Sequence, residues 1–237
     1  MDDNKIMNFY HDGSLGDIIY SLPTVKAMGG GDYYIMKRPH YGPMRDLLNS
    51  LPYINSTNYG PWPINGGIDL RFYRKIAIEA IKKGEIKHLT DCYAQVCNVN
   101  IDRENPWIEG IEPLLMGDIV VNRSLRYHDI MDIDYGLLNG CKNITFIGKI
   151  EEYKVFREIY DIMCRHHECE DILEMARIIA GARLFVGNQS LGFALAEAMK
   201  VPRVLEVCTV KDNCRPAGEN GYIELNQKII RRYLSDN

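Results

Sequence analysis

The chain has 237 residues, 46% of them hydrophobic and 25% charged, and a formal net charge of -4. That balance is ordinary for a folded globular protein and speaks against a broadly basic nucleic-acid-binding surface. The start, Met1-Asp2-Asp3-Asn4, is unlike a signal peptide, and no apolar run is long enough to span a bilayer. A cytoplasmic protein with no stable membrane insertion is expected.

In chain order, strand and helix signals alternate. Lys5 to Tyr10 reads as a strand, and Asp17 to Met28 as a helix stopped by Gly29-Gly30-Gly31. Tyr33 to Met36 is a second strand, and Pro43 to Leu51 a helix opened by proline. Pro52 to Gly67 is dense in Pro, Gly, Asn and Tyr and reads as a loop; its aromatics, Tyr53 to Trp62, are suited to stacking or to packing. Ile68 to Tyr73 is a third strand, followed by helical patches at 76–83 and 89–97.

Asn105 to Pro113 has the composition of a linker, placing a boundary between units 1–112 and 113–237. Beyond it, strands are expected at 118–122, 144–148, 184–186 and 204–207, and helices at 151–163, 170–180 and 223–234. Seven scattered cysteines read as reduced thiols. Cys164-Arg165-His166-His167-Glu168-Cys169 gathers potential zinc ligands, but a site needs a further element to bring ligands to one side. The segment therefore reads as a connection, and no metal is expected. The alternation predicts an α/β fold of two layered units.

Chemistry belongs where strands end and helices begin. Gly13-Ser14-Leu15-Gly16-Asp17 is one such turn, and Gly187-Asn188-Gln189-Ser190 is the other. A helix N-terminus offers backbone N–H groups and partial positive charge to a phosphate. Ser190 equally suits an ordinary N-cap, and Asp17 a helix-start carboxylate facing the macrodipole.

The stretch Gly16-Asp17-Ile18-Ile19-Tyr20-Ser21-Leu22-Pro23 resembles the N-terminal motif of the lipopolysaccharide heptosyltransferases, glycosyltransferase family 9. Ile178 to Ser190, continuing through Ala194 to Pro202, is similar to that family's donor-site segment. The resemblance implies a compact GT-B fold, with two Rossmann-like domains facing across a cleft. It further implies transfer of a sugar from a nucleotide-diphosphate donor, which is a substrate, with no cofactor required. The implied acceptor is a hydroxyl on a glycan, a protein or a modified nucleobase.

Under that resemblance Asp17 is the general base, and Ser14, Leu15 and Gly16 form the acceptor-side loop. The donor side comprises Asn188, Gln189, Ser190 and Leu191, although Gln189 and Leu191 depart from the acidic and Ser/Thr-Gly pattern of the family. Gln189 and Glu197 match the spacing of two donor-contacting glutamates in retaining GT-B enzymes, so Glu197 is a candidate for ribose hydroxyls. Arg123 and Arg126 follow a strand and suit a departing diphosphate, with His128 beside them. Asp132-Ile133-Asp134 matches a metal-binding pair only superficially, and metal independence is expected. Two other readings remain open: a GT-B scaffold that binds a nucleotide or sugar without catalysis, and a nucleotide-sugar epimerase.

Overall fold

The computed structural model describes residues 6–36, 42–60, 66–85, 87–127 and 133–234. Trp62, His128 and Asp132, singled out in the sequence, lie outside the described residues. The chain divides into two compact units, Met1–Arg103 and Glu104–Asn237.

In the first unit, β1 (Asn8–His11) leads into α1 (Leu15–Ala27), which buries Ile18, Ile19, Leu22 and Val25. The helix is followed by Gly29 and Gly30 at φ 88° and 84°, a region closed to most side chains. A Cβ on Gly30 would also meet the Tyr53 carbonyl oxygen at 2.1 Å, so the turn requires glycine twice over. There follow β2 (Gly31–Ile35), α2 (Met44–Asn49), β3 (Ile54–Tyr59) and β4 (Ile68–Asp69). A single 3-10 turn at Leu70–Phe72 then enters α3 (Tyr73–Lys82), and α4 (Leu89–Cys97) closes the unit.

The four strands are parallel, in the order β3-β2-β1-β4. Two sequence expectations change here. The strand expected from Ile68 to Tyr73 stops at Asp69, because the Asp69 carboxylate accepts from the Arg71 backbone N–H and turns the chain. β3 lies within the segment read as a loop. It is an edge strand, paired on one side only, so Ile-Asn-Ser-Thr-Asn-Tyr needs no apolar alternation.

The second unit opens with the segment read as a linker, which is docked here. Trp107 is buried, and its N–H and that of Ile108 donate to the Ala198 carbonyl at 2.9 and 3.2 Å. Then come β5 (Ile119–Asn122), β6 (Ile144–Ile147), α5 (Ile150–Tyr160), β7 (Arg165–His167), α6 (Ile172–Ala180) and β8 (Leu184–Asn188). They are followed by α7 (Leu191–Met199), β9 (Arg203–Glu206), β10 (Gly221–Tyr222) and α8 (Gln227–Leu234). α5 ends three residues before the expected Met163, with Asp161 left-handed at φ 49°. α8 packs Ile229 and Ile230 into the core of this same unit, beside Ile119, Phe146 and Val204.

The sheet is parallel throughout, in the order β10-β9-β8-β5-β6-β7. β5, β6, β8 and β9 are buried along their whole length, as central strands covered on both faces are. Counted from β5, the order is that of a doubly wound Rossmann-type sheet, and the first unit repeats its first four positions. Each sheet therefore has one point where the strand order reverses: between β1 and β4, and between β5 and β8. Among the described residues, no helix is long and apolar enough to cross a membrane, and all seven cysteines are free thiols.

Candidate active site

Ligands of open parallel sheets bind outside the carboxyl ends of the strands, at the reversal point. Both glycine-punctuated turns lie there. The first follows β1, beside the end of β4. Ser14 is the N-cap of α1, and Asp17 is its third helical residue. Asp17 Oδ2 accepts from the Ser14 backbone N–H at 3.0 Å and from the Tyr73 hydroxyl at 3.0 Å. Oδ1 accepts no hydrogen bond among the described residues. One oxygen thus closes the helix and receives Tyr73, and the other is not engaged by either.

Behind Asp17 stands a directed chain of hydrogen bonds. The Gly13 N–H donates to His11 Nδ1 at 2.9 Å, so the neutral ring carries its proton on Nε2 and donates it to the Tyr93 hydroxyl at 2.7 Å. Tyr93 in turn hydrogen-bonds Tyr73, whose hydroxyl ends on Asp17. The two tyrosine rings stack, with centroids 4.4 Å apart. Burial lowers His11 to about 4 against an opposing pull from Asp17, which keeps the imidazole neutral at pH 7. Burial first, and then the Asp17 charge, raise Tyr73. Burial raises Tyr93 as well, so both phenols keep the protons they donate. Gly13 completes the turn, since a Cβ there would fall 2.4 Å from His11 Cε1. Arg74 pairs with Asp12 at 2.7 Å, and Arg71 with Asp69 at 2.6 Å, framing the same edge with charge.

Neither His11, Tyr73 nor Tyr93 was legible as a site residue. The available signal was positional: Tyr73 opens the helix that follows, after one 3-10 turn, the strand next to β1 across the reversal point.

The second turn follows β8, beside the end of β5. A Cβ on Gly187 would sit 2.4 Å from the Asn122 carbonyl oxygen, and one on Gly192 equally close to Asn122 Oδ1. Both glycines are therefore required for β5, β8 and α7 to meet. Ser190 is the N-cap residue of α7, but its hydroxyl turns to Asn122 Oδ1 at 2.9 Å instead of capping the helix. Asn188 is buried and clasps the loop after β5. Its Oδ1 accepts from the Ser124 N–H at 3.0 Å, and its Nδ2 donates to the carbonyls of Ser124 and Arg126. The clasp holds Tyr127 at φ 57°, a costly conformation for an aromatic residue. Exposed Arg126 and Lys211 both lie over the Tyr127 ring, at 5.3 and 4.7 Å from its centroid. Leu191 is half-buried at the start of α7.

Three of the expected donor ligands are occupied otherwise. Arg123 is 3% exposed and forms a two-pronged pair with Glu206 at 2.8 and 3.0 Å; the Tyr135 hydroxyl donates to the same carboxylate. Its charge is spent inside the unit, and Lys211, absent from the sequence reading, joins Arg126 as the exposed cation. Gln189 has both ends of its amide engaged: Nε2 donates to the Lys211 carbonyl at 2.7 Å, and Oε1 accepts from the Cys208 N–H. Glu197 is fully buried, bound by Arg203 and Lys200 and accepting from the Ala217 N–H at 3.1 Å. It belongs to the last turn of α7, roughly 10 Å along the helix from Ser190. The buried carboxylate is thus engaged within its own unit by Arg203, Lys200 and the Ala217 N–H.

No protein-family model matches the sequence, and no curated protein matches it. Solved structures do. The chain is similar to a glycosyltransferase family 9 protein from Veillonella parvula, at 13% identity and a TM-score of 0.61, over 99% of this chain and 90% of that one. It is similar to E. coli heptosyltransferase WaaC with ADP, at 12% identity and a TM-score of 0.54, over 97% of this chain and 98% of that one. E. coli ADP-heptose lps heptosyltransferase II matches at 13% identity and a TM-score of 0.50, with the same coverage. At these identities the likeness is one of fold, and the two parallel-sheet α/β units are its common ground.

Proposed function

We propose that the protein is a glycosyltransferase that moves a sugar from a nucleotide-diphosphate donor to an acceptor hydroxyl, with the GT-B division of labour between its two units. One observation carries the reading: both sheet reversal points hold a turn of matching chemistry, a carboxylate at one and an anion-receptive helix start at the other. Asp17 takes the proton of the acceptor hydroxyl as its oxygen bonds to the anomeric carbon. The bond from that carbon to the diphosphate oxygen breaks, and the nucleoside diphosphate leaves with the electron pair. The start of α7, with Arg126 and Lys211, meets the charge that develops on the leaving group. Direct displacement of this kind inverts the anomeric centre.

Ser14, Leu15 and Gly16 lie on the acceptor side, and Tyr127 offers a ring for stacking. No step calls for a metal or a cofactor. The acceptor is a hydroxyl of a glycan, a protein or a modified nucleobase. WaaC was solved with ADP and with ADP-2-deoxy-2-fluoro heptose, which makes adenosine diphosphate sugars the first donors to try.

Calorimetric titration with a panel of nucleoside diphosphates and their sugars, repeated on Ser190→Trp, tests the donor half. Saturable binding of one nucleotide, lost in the variant, supports it; no binding across the panel counts against a transferase. One observation favours a second reading, a ligand-binding scaffold without catalysis: Asp17 caps its own helix. Asp17→Asn separates the two. A transferase loses turnover and keeps donor affinity, whereas a scaffold loses nothing.

A further inference from the structure

The segment Cys164–Cys169 lacks, in sequence, a partner element to complete a metal site. The fold supplies one. β7 is an edge strand of its sheet, two strand spacings, or roughly 10 Å, from β5. Successive side chains of a strand point to opposite faces, and its two histidines separate accordingly. His166 stacks on Tyr153 at 4.9 Å and bonds the Gly148 carbonyl through Nε2 at 2.8 Å. His167 turns instead to Glu174 of α6, with Nε2 and Oε1 3.0 Å apart. Cys169 lies on the short connection between them, and donor atoms of His167, Cys169 and Glu174 all fall within 4.8 Å of one another.

We propose that His167, Cys169 and Glu174 form a binding site for a divalent transition cation of the zinc class. The donor set argues for this class. Imidazole and thiolate favour zinc-like cations over magnesium or calcium, which prefer all-oxygen shells. One thiolate and one carboxylate balance a double positive charge. Tetrahedral bonds of the usual lengths place such ligand atoms roughly 3.4–3.6 Å apart, so closure needs small side-chain adjustments and no change of backbone.

Glu174 is already held in place. Its N–H donates to Asp171 Oδ1 at 2.7 Å, and its Oε2 accepts from the Glu170 N–H at 2.6 Å, leaving Oε1 toward the other two ligands. Such outer hydrogen bonds are what orient metal-binding carboxylates. His167 and Glu174 side chains are 29% and 24% exposed, so a cation has a way in. Binding releases the thiol proton of Cys169 to solvent and leaves the fourth coordination position to water. The cation clips the edge strand to the following helix. A bare His–Glu pair at this exposure contributes little and gives no reason for the converging thiol.

The test is a titration of Co(II), an optical probe for zinc sites, into the reduced full-length chain after chelator treatment. A thiolate-to-cobalt charge-transfer band should saturate at one equivalent and disappear on adding Zn(II). Cys169→Ser should abolish the band, Glu174→Gln should weaken the affinity at least tenfold, and Cys164→Ser should change neither. The proposal is overturned by absence of the band in the unaltered chain, by its survival in Cys169→Ser, or by its loss in Cys164→Ser. Unchanged affinity in Glu174→Gln overturns it as well. If circular dichroism shows that Cys169→Ser does not fold, Glu174→Gln decides, because it keeps both the thiol and the helix.

Discussion

The Tyr73 hydroxyl donates to Oδ2 of Asp17 at 3.0 Å, on the oxygen that also caps α1 through the Ser14 N–H. The carboxylate is thereby fixed from two sides, by its own helix and by the element that follows β4. Tyr73→Phe removes one of these restraints and keeps the ring stacked on Tyr93. A hydrogen bond to a charged group is worth about 1.5–3 kcal/mol, and part of that is lost to solvent replacement. In the proposed transferase, kcat should fall about tenfold with donor affinity unchanged. Asp17→Asn should lower kcat by about a hundredfold or more. Steady-state kinetics on both variants checks the order; equal effects, or an effect on donor affinity alone, would remove Tyr73 as a positioning residue.

His11 makes the stability of the first unit depend on pH. An unfolded histidine takes up a proton below about pH 6.5, whereas the buried ring in the fold refuses it until about pH 4. Between those values the unfolded chain binds more protons, so stability declines as pH falls. The effect of this one group amounts to about 3 kcal/mol across the window. His11→Gln stays neutral at every pH. It should be less stable than the parent at pH 7, through loss of the bonds to Gly13 and Tyr93. Urea unfolding at pH 7 and pH 4 should show that deficit shrinking by about 3 kcal/mol. A deficit that stays constant would mean that His11 does not titrate as its burial requires.

Arg123 and Arg126 are three residues apart and predict opposite phenotypes. Arg123 pairs with Glu206 where both are almost wholly buried. Removing one partner of such a pair costs about 3–5 kcal/mol, because the other charge is stranded. Arg123→Met should therefore unfold easily. Arg126→Ala, on the exposed side of the loop, should leave the melting temperature unchanged and weaken binding of a nucleoside diphosphate about tenfold, the loss of one charge-assisted contact. Thermal melts with calorimetric titration separate the two. A destabilised Arg126→Ala, or one with full nucleotide affinity, would place the diphosphate elsewhere.

The alternation of strand and helix was readable because the central strands, such as Ile119–Asn122 and Leu184–Asn188, are apolar on both faces. Two of the edge strands were not. Ile54–Tyr59 and Arg165–His167 pair on one side and face solvent on the other, so polar residues fill them without penalty. Both turns were visible through their glycines, whose need is local: Gly13 against His11, Gly187 against Asn122. The roles of the side chains around them depend on partners far along the chain. Arg123 meets Glu206, and Gln189 meets Lys211 and Cys208, contacts that no spacing announces. Burial settles whether such a charge serves a ligand or the fold, and burial is a property of the assembled sheet.

Glu197 puts that distinction to its sharpest test. Its carboxylate neutralises Arg203, itself fully buried, and also receives Lys200 and the Ala217 N–H. Arg203 goes on to donate to the carbonyls of Val201, Glu219 and Ala217, so the pair anchors the chain leading into β10. Glu197→Gln keeps the shape and removes the charge, so that the carboxylate shared by the two cations is replaced by a neutral amide. The expected cost is about 3–5 kcal/mol of stability, seen as a lowered denaturant midpoint. In protein that remains folded, nucleotide-sugar affinity should match the parent, because the helix carries this residue away from the turn at Ser190. A ribose-binding glutamate would behave the other way, with a normal midpoint and affinity reduced by tenfold or more.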